Sequence, residues 1–343
     1  MQVQTSPRAA HIYTKRRPTL LTRTKGALWS YLLLLPAAAL VLTFVILPLL
    51  ASYPYTLYNW SGIGQPEQYV GLDNFVRVSA DPYFWAAFRR TFTYAAFLVP
   101  IQLTLALILA LVLNNPKLRG SSVYRAIFFS PVVTSQAVVG IVLTFLLNSF
   151  NGPLTQLGRG LGWLGKTDSI SIIGDPRFTF AAIIAVGIWH SLGINLIYFL
   201  AALQSIPQEL YEAARIDGAS AQQEFWHITV PSLRAPGLII VFLAVLGSLG
   251  VFELVVVMAG TGASGMLSNS EVVSTYIYRN AFTFSGGGNV GFASAAALFM
   301  GFITLLLSLV QLVVLRRFGV QRKGFEDSAG KPETRDPTKE ARA

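Results

Sequence analysis

Residues 92–113 read FTYAAFLVPIQLTLALILALVL, a run of 22 positions without a charged side chain. A helix of about 20 residues crosses the roughly 30 Å hydrocarbon layer of a bilayer. A charge at mid-membrane costs several kcal/mol, so an uncharged run of this length marks a membrane span. A helix in a soluble core would keep a wet polar face, and this segment has none.

Reading outward, similar blocks lie near residues 27–50, 126–147, 178–203, 235–258 and 290–315. Four of the six blocks carry no charge, one holds only His190 and one only Glu253. The expected fold class is therefore all-α, a polytopic inner-membrane protein with about six transmembrane helices. Composition agrees. The 343 residues are 53% hydrophobic and 12% charged, about half the roughly 25% charge of a soluble domain. Such a chain is not a disordered protein, a collagen-like fibre or an ordinary cytosolic enzyme. Cysteine is absent, which excludes disulfides, thiolate metal sites and cysteine nucleophiles.

Arg16, Arg17, Arg23 and Lys25 precede the first block as they would in a signal peptide. Its apolar run is too long for one, and no small-residue cleavage site follows Leu50, so it reads as a retained helix. Pro36, Pro48, Pro100 and Pro131 fall in or near spans, where neighbouring groups can satisfy the freed carbonyls.

The net charge of +10 is a matter of topology. With the N-terminus inside, 19 of the 26 Lys and Arg residues face the cytoplasm and seven face out. The positive-inside rule then places both termini in the cytoplasm. The basic residues sit at the inner headgroups and are not interleaved with aromatics on a groove, so membrane lipid, and no nucleic acid, is the expected partner. Residues 1–26 form a basic cytoplasmic segment. Residues 318–343, rich in Lys, Glu, Asp and Pro, form a charged tail expected to be disordered.

Residues 160–167, GLGWLGKT, fit both G-x-x-x-x-G-K-[ST] and G-x-G-x-x-G. Either phosphate-binding motif needs a strand before it and a helix after it. A membrane helix and loop precede, a short turn-rich segment follows, and the loop lies outside. Both matches are chance. His11, His190 and His227 are not paired at metal-ligand spacing. No catalytic residue, cofactor or metal site is expected.

One long polar stretch faces inward, residues 205–237, SIPQELYEAARIDGASAQQEFWHITVPSLRAPG. It reads as a helix-turn-helix. Pro207 and Glu209 suit a first turn, and Gly218 suits a left-handed cap. Ser220 with Gln223 has capping-box spacing, and Pro231 is expected to close the second helix. Ala213, Ala214 and Gly218 would let another backbone approach closely. An interfacial hairpin lying on the inner leaflet fits these residues equally well.

EAARIDGA followed by FWHITVP resembles the EAA signature of permease subunits in binding-protein-dependent ABC importers. The signature falls on Glu212, Ala213, Ala214, Gly218, Ile228, Val230 and Pro231. YVGLDNF at 69–75, DPYFWAAFRRTFTY at 81–94, YRAIFFSPVV at 124–133, LAALQSIPQELYEAA at 200–214 and STYIYRNAF at 274–282 are similar to the maltose-type and glycerol-phosphate-type permeases. GLDNF is closer to the maltose F-type. AGTGASG at 259–265 departs from the family's usual T-x-GGP.

The resemblance implies a six-helix permease domain over 27–317, with a cytoplasmic coupling loop at 205–232. That loop would dock on a cytosolic ATPase through Glu212, Ala213, Ala214, Asp217, Gly218, Ala219, Phe225, Ile228 and Pro231. Implied partners are two ATPase subunits, a second permease subunit in a heterodimer, and an extracytoplasmic solute-binding protein. The implied cargo is a sugar, an oligosaccharide or a glycerol-3-phosphate-like solute, and ATP hydrolysis falls to a separate chain in a bacterial or archaeal plasma membrane.

For the substrate path the candidates are Glu253, the one formal charge in a span, with Phe252, Asn195, Tyr198, Gln102, Gln136 and Ser248. For any single polar residue a bond across a helix interface is the commoner role, and Glu253 could instead lie solvated near the outer headgroups. His190 beside Trp189 reads as a packed residue. An ion-coupled secondary transporter is the alternative function. It would need paired mid-membrane acids or repeated halves, and the chain shows neither. A membrane-bound enzyme would need a cluster of titratable groups.

Overall fold

The computed structural model describes residues 20–319 apart from 67, 116–117, 164, 166–167, 261–268 and 283–287. Most of the 1–26 segment, the tail beyond 319 and most of AGTGASG lie outside the described residues. Six helical spans are long and apolar enough to cross a membrane: Tyr31–Tyr55, Pro82–Leu113, Gln136–Gly160, Phe178–Gln204, Ala221–Leu249 and Val290–Arg317. By packing, the chain divides into residues 1–54 and 55–343.

Among the described residues the first unit is a single long helix. α1 (Leu20–Val41) passes through a π turn at Leu42–Ile46 into α2 (Leu47–Tyr55). Leu47 N–H reaches back five residues to the Leu42 carbonyl, and Pro48 follows at once. Proline lacks a donor and crowds the preceding turn; the widened turn accommodates it.

The second unit opens with a two-residue hairpin, β1 (Tyr58–Asn59) against β2 (Gln68–Tyr69), antiparallel with Tyr58 opposite Tyr69. A short helix follows, α3 (Asp73–Ala80). Buried Asn74, from the GLDNF stretch, donates to the Thr56 and Tyr58 carbonyls at 2.8 and 2.9 Å. Gly71, at φ +59°, makes the turn into this helix.

Two helices form the centre. α4 (Pro82–Leu113) starts on Asp81, whose carboxylate accepts the Tyr83 N–H at 2.8 Å. It begins ten residues before the uncharged run read from the sequence. Past three intervening helices in the chain, α8 (Pro176–Gln204) packs along α4. Leu98, Leu103, Ala106 and Ala110 of α4 and Ile183, Leu196, Leu200 and Leu203 of α8 are buried in one core. Small residues allow this closeness. A Cβ on Gly193 of α8 would stand 2.3 Å from the Phe128 carbonyl oxygen.

The third block, read as one helix over 126–147, is two: α5 (Ser121–Val133) and α6 (Gln136–Ser149), continued by α7 (Asn151–Gly160). Thr134 and Ser135 between them are extended, at ψ 139° and 136°. Pro131 sits at the end of α5, where the helix is already failing. Buried His190 on α8 supports the break, its Nε2 lying 3.1 Å from the Thr134 carbonyl. A carbonyl only accepts, so Nε2 carries the proton. His190 is packed, as the sequence suggests, and serves a freed backbone group.

The inward hairpin has α9 (Gln208–Ile216), α10 (Ala221–Glu224) and a second π turn at Phe225–Thr229, which runs into α11 (Val230–Leu249). Pro231 therefore does not close the second helix. Val230 N–H reaches back to Phe225, and Pro231 follows, as at Leu47–Pro48. The same wide turn lets the helix pass through a proline. The fifth block is also interrupted. α11 stops at Leu249, and α12 (Glu253–Ala259) begins after a break at Gly250–Phe252. α13 (Val273–Phe282) and α14 (Val290–Gly319) complete the described chain. Val78, Phe84, Ala87, Val273, Tyr276 and Ala295 form a second core joining α3, α4, α13 and α14.

Candidate functional site

The inward hairpin is built by its caps. Gly218, at φ +80°, follows α9 in the left-handed region. Its N–H donates to Arg215 O at 3.1 Å, and Ala219 N–H donates to Ala214 O at 2.9 Å. Both bonds of a Schellman motif are present. Ser220 then caps α10: its N–H donates to Gln223 Oε1 at 2.8 Å, and Gln223 N–H donates back to Ser220 Oγ at 3.4 Å. The capping box expected from the sequence has formed.

Two contacts that sequence spacing does not reveal tie the arms together. Arg215 grips Glu224 with both nitrogens, Nε to Oε1 at 2.8 Å and Nη2 to Oε2 at 3.3 Å. The hydrogen bond and charge of Glu224 push the Arg215 pKa up, so it remains a cation. The Tyr211 hydroxyl and Thr229 Oγ1 share a hydrogen bond at 2.9 Å. Both pairs span the turn and depend on its closure.

Of the coupling candidates, Glu212, Ala213, Asp217, Gly218 and Pro231 are exposed, while Ala214, Ala219, Phe225 and Ile228 are half-buried. The hairpin also displays apolar side chains that sequence reading did not single out. Ile216 is 86% exposed and Trp226 58% exposed. Such apolar exposure beside charged groups is the make-up of an interface.

A cavity of about 380 Å³ lies between α4, α6, α8 and α11, within the range of about 300–1,000 Å³ typical of small-molecule sites. Gln102, Gln136, Asn195, Tyr198 and Ser248, five of the seven path candidates, line it together. Tyr94, Leu98, Ser191, Ala244 and Gly247 line it as well. Spacing could have found the first three: Tyr94, Leu98 and Gln102 stand four apart on α4, and Ser191, Asn195 and Tyr198 stand four and three apart on α8. Gln136 is the first residue of α6, so the break at Thr134–Ser135 places it in the wall.

Glu253 and Phe252 are placed elsewhere. The helix break at 250–252 sets Glu253 in the first turn of α12, exposed and off the cavity lining. An acid suits a helix N-terminus. Phe252 packs against the Tyr278 ring, centroids 5.2 Å apart.

The buried acid is Glu271, which lies outside the six apolar blocks. It is 2% exposed and paired with Arg279, Nε to Oε1 at 2.7 Å and Nη2 to Oε2 at 3.3 Å. The Tyr276 hydroxyl donates to Asp81, and burial together with that bond pushes its pKa up. This network clamps α13 to the start of α4. Among the described residues no group of His, Asp and Glu could hold a metal. α7 precedes GLGWLGKT where a phosphate loop would need a strand.

Six helices long and apolar enough to cross a membrane, a polar cavity between α4, α6, α8 and α11 and a capped hairpin continuous with the α11 wall are the features of an integral membrane permease. Residues 90–320 match the family described as the inner membrane component of binding-protein-dependent transport systems, and the chain belongs to that family. It is 36% identical over 283 residues to the probable ABC transporter permease protein YurN of Bacillus subtilis, covering 82% of this chain and 94% of the relative. It is 33% identical over 287 residues to the lactose transport system permease protein LacF of Rhizobium radiobacter, covering 84% and 94%. Among solved structures it resembles a bacterial alginate ABC transporter in complex with an alginate pentasaccharide-bound periplasmic protein. The TM-score is 0.72 and the identity 25%, over 88% of this chain and 98% of the other. The family expected from the EAA stretch is thus shown. The chain is a multi-pass inner-membrane component of a binding-protein-dependent transport system. The ion-coupled alternative finds no support.

Proposed function

We propose that this chain is one of two different permease subunits in an ATP-driven importer for a sugar or oligosaccharide. One observation carries the mechanism. A single helical run from Ala221 through the π turn to Leu249 joins the exposed hairpin to the cavity wall at Ala244, Gly247 and Ser248. A push on the hairpin is then a displacement of the wall. The lactose relative and the alginate transporter support the sugar reading.

The hairpin docks on a cytosolic ATPase subunit. Glu212 and Asp217 offer polar contacts, Ala213 and Ala214 close packing, and Ile216 and Trp226 apolar anchors. ATP is hydrolysed on that separate subunit. An extracytoplasmic binding protein delivers cargo at the opposite face, where Arg77, Arg89 and Arg279 lie. Both termini are cytoplasmic, as the basic residues favour. The permease domain covers 27–317, and lipid surrounds its exposed apolar side chains.

The test is the complex purified with its co-purifying subunits and placed in proteoliposomes. Uptake is expected to require ATP and binding protein and to survive an ionophore that collapses ion gradients. Uptake that an ion gradient drives without ATP would overturn the proposal.

A further inference from the structure

A second cavity, of about 520 Å³, lies between α4 and the first half of α8. Among the described residues it shares no lining side chain with the polar chamber. Its lining is graded along the helix axis. Arg90, Thr93 and Asn269 contribute polar groups, and Phe97, Ile101 and Ile184 continue as an apolar wall. Arg90 stands two positions before the uncharged run that begins at Phe92, which puts it at headgroup level. At about 1.5 Å per residue, Phe97 lies about 10 Å and Ile101 about 16 Å further into the hydrocarbon. Both are exposed, so this cavity is a groove open to the membrane.

Arg90 brings a cation to the groove without an acid of its own. Among the described residues no carboxylate forms an ion pair with it, and its Nη1 donates only a long bond, 3.5 Å, to the Glu271 carbonyl. The Glu271 carboxylate is already held by Nε and Nη2 of Arg279. Arg89, exposed one position earlier, adds a further positive charge. No Asp or Glu lines the groove among the described residues. A half-buried guanidinium has lost part of its hydration and gains from an anion brought beside it.

The groove therefore fits a molecule with an anionic head and an apolar tail, in that order along the membrane normal. A phospholipid has this order, and the bilayer presents it all around the protein. Arginine takes a phosphate through two parallel N–H bonds. Basic pockets between membrane helices hold anionic headgroups. A zwitterionic lipid brings an ammonium group that Arg89 and Arg90 repel, and a net negative headgroup does not. A helix of a second subunit packed there would set apolar side chains against Arg90.

We propose that this groove binds an anionic phospholipid, with the Arg90 guanidinium on its phosphate and an acyl chain along Phe97, Ile101 and Ile184.

The test uses the full complex in bilayers of equal parts phosphatidylglycerol and phosphatidylcholine, with Ile101 replaced by photoreactive p-benzoylphenylalanine. Irradiation and mass spectrometry of the labelled peptide identify what fills the groove. Phosphatidylglycerol adducts are expected to exceed phosphatidylcholine adducts about fivefold, the effect of one basic residue on anionic lipid. Arg90→Gln should bring the two close to parity. Equal adducts with Arg90 in place overturn the charge preference. Cross-linking to a second permease chain instead of lipid overturns the occupant. A lipid ratio unchanged in Arg90→Gln overturns the role of Arg90. The first two outcomes are read with Arg90 intact, so they decide the matter even if Arg90→Gln does not fold. None of them depends on transport, and failure here leaves the permease reading standing.

Discussion

The inward hairpin and the central cavity are specified over different ranges of the chain. In the hairpin, Gly218, Ser220 and Gln223 act on neighbours within five residues, and the turn forms from those local bonds. In the cavity, Gln102, Gln136, Asn195 and Ser248 come from four helices and meet only because α4, α8 and α11 pack. Local rules therefore make an exposed tool that can be altered without disturbing the bundle. Tertiary packing makes a chamber whose shape depends on helix contacts far from its polar groups.

That contrast can be tested by substitution, beginning with the largest effect. Gly193→Leu drives a side chain into the Phe128–Phe129 backbone, where even a Cβ would lie at 2.3 Å. Overpacking costs about 1–3 kcal/mol, and more where the obstacle is backbone that cannot give way. Little monodisperse protein should be recovered in detergent. A variant with an unchanged thermal midpoint would show that α5 and α8 are not fixed as described.

Gly218→Val tests the other side. A left-handed backbone costs an ordinary residue about 1–2 kcal/mol, and a β-branched one more. The added Cβ would meet nothing within 4 Å, so the strain is confined to the turn. Uptake and sugar-stimulated ATPase activity should be lost while the melting midpoint of the bundle holds. If the midpoint drops as far as in Gly193→Leu, the hairpin is not separable from the bundle.

Ser220→Ala is gentler. Loss of an N-cap costs about 1 kcal/mol. Hydrogen exchange of the 221–224 amides should quicken by about fivefold, with uptake reduced and not abolished. Unaltered exchange would mean that α10 is held by something other than its cap. Arg215→Ala should do least. The arginine is exposed and its pair with Glu224 is screened by water. Any loss in coupled ATPase activity should shrink as salt rises. A large, salt-independent loss would mean that Arg215 contacts the ATPase subunit directly.

What could be read from the sequence follows the same division. The six spans were legible because membrane insertion is a property of composition over about 20 residues. The caps of the hairpin were legible because their partners lie three to five residues away. The breaks at Thr134–Ser135 and Gly250–Phe252 were not. An apolar run has the same composition whether one helix or two passes through it, and Pro131 falls inside α5 just short of the break. Composition left Glu253 open between the path and a solvated place near the headgroups; the break sets it exposed in the first turn of α12. The pairing of Arg215 with Glu224 needs the turn closed before the two can meet. The burial of Glu271 needs Arg279 brought beside it. The cavity lay between these extremes: its polar residues recur at helical spacing on α4 and α8, yet which faces converge is settled by close packing, at Gly187, where a Cβ would stand 2.3 Å from the Tyr94 hydroxyl, at Gly193 and at the alanines of the core.

The wide turn at Phe225–Thr229 sets the phase of everything downstream. One residue subtends about 100° around a helix axis. Deleting a single position there would let the rod close into regular winding and swing the azimuth of Ala244, Gly247 and Ser248 away from the chamber. The extra residue works as a fixed offset between handle and blade, deciding which face of α11 turns toward the chamber.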